Sequence, residues 1–419
     1  MASRHRPFRS SARSAASPAF APSVGDPATC RGTAEAVQRQ SRLSDPQRRG
    51  SVPVSLDQFF EAPQFSLPQP EKESLLVAEL DALVDHHRAA CPGYRRILDA
   101  IGYASPATTV AELPWLPVSL FKTHVLSSVP TSEVFKIMTS SGTTGQAVSQ
   151  ITLDRQTAEL QSRALSLIMR TVLGPKRLPM IVIDSPNVVK DRAMFSARGA
   201  GVLGMIQYGR KHYYCLDDDM RLDAAGLAAF AAQFDGQPIL LFGFTFMVWK
   251  HFLAEIRRQR VDIDLSQGVL IHSGGWKKLA DEAVGNAEFK AALREATGLR
   301  RVHNFYGMVE QVGSVFLEGD DGLLVPPNFA DVIIRDPRTW EPAPDGEPGL
   351  IEVLSVLPRS YPGHVLLTED LGVVQPPGVG GQHPSDGWHG KRLQVIGRVP
   401  KAELRGCSDT HAFSQAVES

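Results

Sequence analysis

The sequence predicts an α/β fold, with mixed sheets flanked by helices and a C-terminal β region. Three observations carry that prediction. Short apolar runs bounded by turn residues, MIVID at 180–184 and PILLFGF at 238–244, suit strands buried on both faces. Stretches with helical apolar spacing, GLAAFAAQF and WKHFLAEIRRQR, lie beside them. After residue 324 the style changes to ADVIIRD, GLIEVLSVL and HVLLTED, strands separated by Pro, Gly and Asp turns as in an antiparallel meander.

Composition bounds the function. At 419 residues and 43% hydrophobic content the chain can build one large domain or two ordinary ones with real cores. A net charge of −1 excludes a polyelectrolyte, so no nucleic acid partner is expected. No run of 18 apolar residues is present, so no membrane span is expected. The four cysteines, Cys30, Cys91, Cys215 and Cys407, form no C-x-x-C pair. That argues against a zinc cluster or a disulfide scaffold and suits a reducing, cytoplasmic location. The first 50 residues hold nine arginines, no lysine and three acids among many serines and alanines. Residues 1–55 therefore read as a disordered basic extension, with a transit peptide or an anion-binding arm as the functional alternatives.

Each element follows from its residues. ESLLVAELDALVDHHRAA at 73–90 places Leu75, Leu76, Leu80, Leu83 and Val84 at helical spacing. CPGY at 91–94 ends that helix, and a short one over 95–101 follows. LPWLPVSLFK at 113–122 is a Pro-broken, extended segment. Strands are expected at 133–139 and 149–154, then a helix at 155–172. GVLIHSGG at 268–275 reads as a strand entering a glycine turn. Residues 372–390, rich in Gly and Pro, read as a surface loop. The run LLFGFTFMVWKHF at 240–252 is either the lining of an apolar tunnel or a core strand and helix.

TSSGTTGQ at 139–146 puts five hydroxyl side chains and two glycines between two predicted strands. Glycines let a backbone approach phosphate oxygens, and N–H and O–H groups donate to them. A flexible surface turn is the alternative, because no lysine follows as in G-x-x-x-x-G-K-[ST]. GAGVLG at 199–204 matches G-x-G-x-x-G but lacks the strand directly before it that a dinucleotide site needs. It reads as a close contact that glycine permits. Cys215, after KHYY, reads as buried.

SSGTTG has companions downstream: HNFYGMVEQ at 303–311, LLTEDLGVV at 366–374 and VIGRVPKAELRGCS at 395–408. In that order they resemble the motifs of adenylate-forming enzymes. LPVSLFK, IMTSSGTTGQ, HSGGWKKL, FYGMVEQ and RGCS resemble more closely the acyl-protein synthetase (LuxE) family of bacterial bioluminescence, over roughly residues 56–410. The resemblance implies an adenylate-forming large domain at 56–396 and a truncated, vestigial lid or tail at 397–419 carrying Cys407. It implies ATP and Mg²⁺ as cofactors. Ser140, Ser141, Gly142, Thr143, Thr144 and Gly145 would cradle the phosphates. Gly274 and Gly275 would lie along adenine, Tyr306 would stack near it, and Gly307 would give room. Glu310 would help hold Mg²⁺, Asp370 would bond the ribose hydroxyls, and Arg398 would mark the hinge and reach the ribose or phosphate.

Two departures stand out. Val309 replaces the threonine of the Y-G-x-T-E pattern, removing one hydroxyl donor. Only 21 residues follow the GR at 397–398, so the lid and its lysine are expected to be missing. Lys277 and Lys278 are candidates for the replacement cation or are plain solvated lysines; Lys122 and Arg405 are further candidates. Cys407, in LRGCSDT, matches the family's acyl-accepting cysteine, with Arg405 to favour its thiolate and His411 as a base. The expected function is ATP-dependent activation of a fatty or related carboxylic acid as its acyl-adenylate. Transfer to Cys407 and on to a partner, such as an acyl reductase or acyl carrier, would follow. Two alternatives stay open: adenylation of an aromatic or natural-product acid with transfer to CoA, an amine or a carrier, and a non-catalytic ligand-binding homologue.

Overall fold

The computed structural model describes residues 56–140, 148–190, 197–276, 283–376 and 387–399. Its core is a 12-stranded sheet in the order β11 (Ala330–Arg335), β12 (Gly349–Ser355), β13 (Val365–Gln375), β14 (Arg392–Arg398), β10 (Leu324–Val325), β9 (Phe316–Glu318), β8 (Arg301–Tyr306), β7 (Val269–Ser273), β6 (Leu240–Phe244), β4 (Leu178–Val182) and β5 (Gly209–Tyr214), with β1 (Leu116–Pro117) on the edge of β13. A separate ribbon joins β2 (Lys136–Thr139) and β3 (Gln150–Leu153) in antiparallel register.

One half of the sheet is parallel: β4 (Leu178–Val182), β5 (Gly209–Tyr214), β6 (Leu240–Phe244), β7 (Val269–Ser273) and β8 (Arg301–Tyr306). β4 and β6 are buried at every position, as near-continuous apolar strands covered on both faces must be. The helices Arg155–Leu173 and Ala224–Gln233 start on aspartates: Asp154 accepts from Thr157 N at 2.7 Å and Asp223 from Gly226 N at 2.9 Å.

The other half is antiparallel: β9 (Phe316–Glu318), β10 (Leu324–Val325), β11 (Ala330–Arg335), β12 (Gly349–Ser355), β13 (Val365–Gln375) and β14 (Arg392–Arg398). This is the expected C-terminal meander. β1 (Leu116–Pro117) pairs in parallel with Leu366 and Leu367 of β13, whose other edge carries β12. β14 pairs with β13 from Asp370 to Gln375, so β1 and β14 lie end to end along one edge of β13.

Several details differ from the sequence reading. The first long helix spans Gln69–Ala90, opening with a proline in its first turn where no N–H bond is lost. Gly372–Gln375 belongs to β13 rather than to a loop: Val373 and Val374 are buried, and Gly372 sits where a Cβ would meet Ile351 and the Gln394 carbonyl. The glycines of GAGVLG lie inside the helix Ala197–Ile206, and a Cβ on Gly201 would stand 2.9 Å from the Phe244 ring, the expected close contact. In the 240–252 run Leu240, Phe242, Met247, Val248 and Phe252 are buried in the main core, which is the core alternative. Cys215 is buried as expected. Among the described residues no helix is long and apolar enough to cross a membrane.

Candidate active site

Ligands of open α/β sheets sit beyond the carboxyl ends of parallel strands, where strand order reverses. The strand order turns back at β4, between β5 and β6, and the parallel run ends at β8, which runs parallel to β7 and antiparallel to β9; the site residues leave the carboxyl ends of β7 and β8. Gly274 leaves β7 at this end with φ +85°, and a Cβ there would lie 3.3 Å from Phe244 Cδ1. Both facts favour glycine. Gly275 follows with open space around its Cα, and Trp276 packs edge-on to Trp249 with ring centroids 5.5 Å apart.

Tyr306 is the last residue of β8, and Gly307 follows it. The Tyr306 hydroxyl donates to Asp370 Oδ2 at 2.8 Å. Asp370 stands opposite Arg398 in the β13–β14 register, and Arg398 Nε donates to Asp370 Oδ1 at 2.8 Å. Three strands thus deliver three predicted site residues to one point. Burial, with the neighbouring Asp370 charge, holds the Tyr306 phenol well above its ordinary range, so it stays a donor. An ionised carboxylate has about four acceptor positions, so Asp370 keeps capacity for a ligand's hydroxyls.

Glu310 lies in the 3₁₀ turn Val309–Gln311 between β8 and β9 and is only 6% exposed. Burial raises its pKa, while Ser149, Lys122 and Arg398 pull the other way. Lys122, on the short helix Leu120–Thr123 after β1, sets Nζ 3.3 Å from both carboxylate oxygens of Glu369, the neighbour of Asp370. Ser140 forms the stem of the hydroxyl-rich loop: its N–H donates to Ser149 O at 3.2 Å and its Oγ accepts from Ser149 N at 2.9 Å.

The structure therefore brings together Tyr306, Asp370 and Arg398, with Glu310 and Lys122 close enough to share the same charges. Ser141, Gly142, Thr143, Thr144, Gly145, Lys277, Lys278 and Cys407 lie outside the described residues, as do Arg405 and His411. Sequence reasoning missed Tyr361, whose hydroxyl donates to the Glu310 carbonyl at 2.8 Å, and Gln311, whose amide reaches Gly363 O at 2.8 Å. Gln311 could have been found beside Glu310 in the motif. Tyr361, a lone aromatic in RSYPGH, carried no signal.

The family described as "Acyl-protein synthetase, LuxE" matches residues 51–417. The chain belongs to that family. Membership makes this LuxE-family protein an enzyme of the ligase class. Two curated relatives carry the name long-chain-fatty-acid–luciferin-component ligase. The one from Vibrio harveyi is 23% identical over 346 residues, 81% of this chain and 87% of that protein. The one from Aliivibrio fischeri is 24% identical over 308 residues, 72% of this chain and 78% of that protein. Among solved structures, a 2-hydroxyisobutyryl-CoA ligase in the postadenylation state with 2-HIB-AMP superposes with TM-score 0.61 at 17% identity, covering 84% of this chain and 73% of that one. An open conformation of that ligase with 2-HIB-AMP and CoA gives TM-score 0.62 at 16% identity, covering 85% and 81%. The LuxE-family chain thus has the fold of the adenylate-forming ligases.

Proposed function

We propose that this LuxE-family protein activates a fatty or related carboxylic acid with ATP and passes the acyl group through Cys407 to a partner protein, such as an acyl reductase. The observation that carries the reading is the meeting of Tyr306, Asp370 and Arg398 beside buried Glu310, at the carboxyl end of the parallel strands. The names of the two curated relatives support the choice of a long-chain acid.

A carboxylate oxygen of the acid bonds to the α-phosphorus while the α–β bridging bond breaks and pyrophosphate leaves with the electron pair. The Cys407 thiolate then attacks the acyl carbon, and AMP leaves with the acyl–oxygen electrons. Asp370 accepts from the ribose hydroxyls, held in place by Arg398 and Tyr306. Gly274 and Gly275 line the adenine face. Ser140–Gly145 donate to the phosphates, and Ser140 at the stem keeps the loop's two ends together.

The residues present fit a magnesium ion carried on phosphates. Such an ion takes one or two protein carboxylates, and Glu310 is a buried carboxylate with a raised pKa, a group that gains from a cation. Bound there, the ion would neutralise charge gathering on the phosphates. Among the described residues no group of three or more His, Cys, Asp or Glu could hold a metal ion. Lys122 joins Lys277 and Lys278 as a cation for the phosphates, because its charge already reaches Glu310.

The test is pyrophosphate release from ATP across a panel of acids of increasing chain length, with hydroxylamine to trap the activated acyl group. Acid-dependent pyrophosphate and hydroxamate, selective for long chains, are expected. Release of ADP, or no acid dependence, would overturn the reading.

A further inference from the structure

A three-residue 3₁₀ turn has little to hold it in place. Val309–Gln311 has one backbone bond of its own across the turn, Gln311 N to Met308 O at 3.2 Å. Further restraints come from β12 and the segment between β12 and β13. Gln311 Nε2 donates to Gly363 O at 2.8 Å and Val353 O at 3.1 Å. Ser314 Oγ meets Ser355 Oγ at 2.5 Å. The Tyr361 hydroxyl donates to the carbonyl of Glu310 itself at 2.8 Å. Gly363 permits this approach: a Cβ there would lie 2.9 Å from the Glu310 carbonyl oxygen and against the Tyr361 ring.

Tyr361 is fully buried, and its ring meets Phe121 edge-on with centroids 6.0 Å apart. Phe121 precedes Lys122 on the same short helix. The neighbouring Ser360 is tied to β3 through Thr152 O at 2.9 Å and to the 126–128 segment through Ser128 N at 2.8 Å. One buried side chain therefore touches both the backbone of Glu310 and the helix that carries Lys122.

We propose that Tyr361 is the positioning residue of the metal–phosphate site, fixing the Glu310 turn so that its carboxylate is preset for a divalent cation. This rests on the assignment of Glu310 to the magnesium ion made above. A merely structural Tyr361 would fill core volume, and its loss would lower stability without touching metal affinity.

The test is Mn²⁺ binding to the full chain with α,β-methylene ATP, read from the electron paramagnetic resonance of free Mn²⁺. The proteins are wild type, Tyr361→Phe, Glu310→Gln and the double variant. Tyr361→Phe keeps the ring and removes the donor. It is expected to weaken Mn²⁺ binding about tenfold, the lower end of the effect when a group orienting a metal ligand is lost. In the Glu310→Gln background the same change is expected to weaken it no further, since nothing is left to position. Should Tyr361→Phe fail to fold, Gln311→Met removes two other restraints on the turn and carries the same expectation. Wild-type Mn²⁺ affinity in the folded Tyr361→Phe protein, with weakened binding in Glu310→Gln, would overturn the proposal and leave Glu310 as the ligand. Wild-type affinity in Glu310→Gln would overturn both.

Discussion

Asp370 accepts hydrogen bonds from two side chains on different strands, Tyr306 of β8 and Arg398 of β14. Replacing it with alanine takes an acceptor from the Tyr306 hydroxyl and from the Arg398 guanidinium, and from the ribose hydroxyls proposed to bind there. Each such loss costs about 1–3 kcal/mol. Asp370→Ala is therefore expected to raise the KM for ATP by roughly ten- to a hundredfold, read by steady-state pyrophosphate release. Glu310 gives a prediction of opposite sign for stability. Its folded pKa is raised by burial, so the native state keeps a proton that the unfolded chain has already lost. Stability from this group is full below the ordinary carboxylate range and falls as pH rises through the raised value. Glu310→Gln removes that loss, so its Tm at pH 7.5 should exceed wild type by ~1–2 °C while acid activation collapses. Scanning calorimetry at pH 7.5 and pH 4 checks it, with the gain shrinking at the lower pH.

The turn after β7 is the element most exposed to a single backbone change. Gly274 holds φ +85° against the Phe244 ring, a conformation that costs a residue with a Cβ ~1–2 kcal/mol. Gly274→Ala should lower Tm by a few degrees and raise the KM for ATP, both measurable on the same preparation. At this scale the legible elements were those whose burial matched their composition. β4, β6 and β7 announced themselves as apolar runs because both faces are covered. β5 did not, because it is an edge strand that carries Arg210 and Lys211 outward. β8 did not either: His303 and Asn304 interrupt its apolar pattern. The fold compensates them through Glu318, whose backbone oxygen meets His303 Nδ1 at 2.9 Å and whose side chain accepts from Asn304 N at 2.7 Å. No local pattern announces a partner 14 or 15 residues away. The glycine-rich stretch beginning at 372 misled for the reverse reason, since Gly372 serves a bulge inside β13 rather than a turn.

The whole molecule carries buried neutral histidines. Burial holds His272 at about 4 and His364 at about 3, against an ordinary value of 6.5, and His87 is also well below it. The unfolded chain binds these protons near pH 6.5 and the native state does not, so their contribution to stability is lost as pH falls below that value. His364→Gln should flatten the fall in Tm between pH 7 and pH 5 relative to wild type, whatever its effect at pH 7. The site was legible across the chain in a different way. Tyr306, Asp370 and Arg398 were assigned from separate motifs, and the sheet brings both Tyr306 and Arg398 within hydrogen-bond distance of Asp370. Tyr361 was not legible, because its role depends on β12 and β13 folding back against the turn after β8. In the proposed chemistry the acid is activated and then held on this chain. Intact-protein mass spectrometry after incubation with Mg-ATP and long-chain acids tests it most directly, on wild type and Cys407→Ala. A mass gain of one acyl group in wild type, absent from Cys407→Ala, is the predicted result; a wild type that stays at its unloaded mass, or a Cys407→Ala protein that gains the same acyl mass, would contradict it.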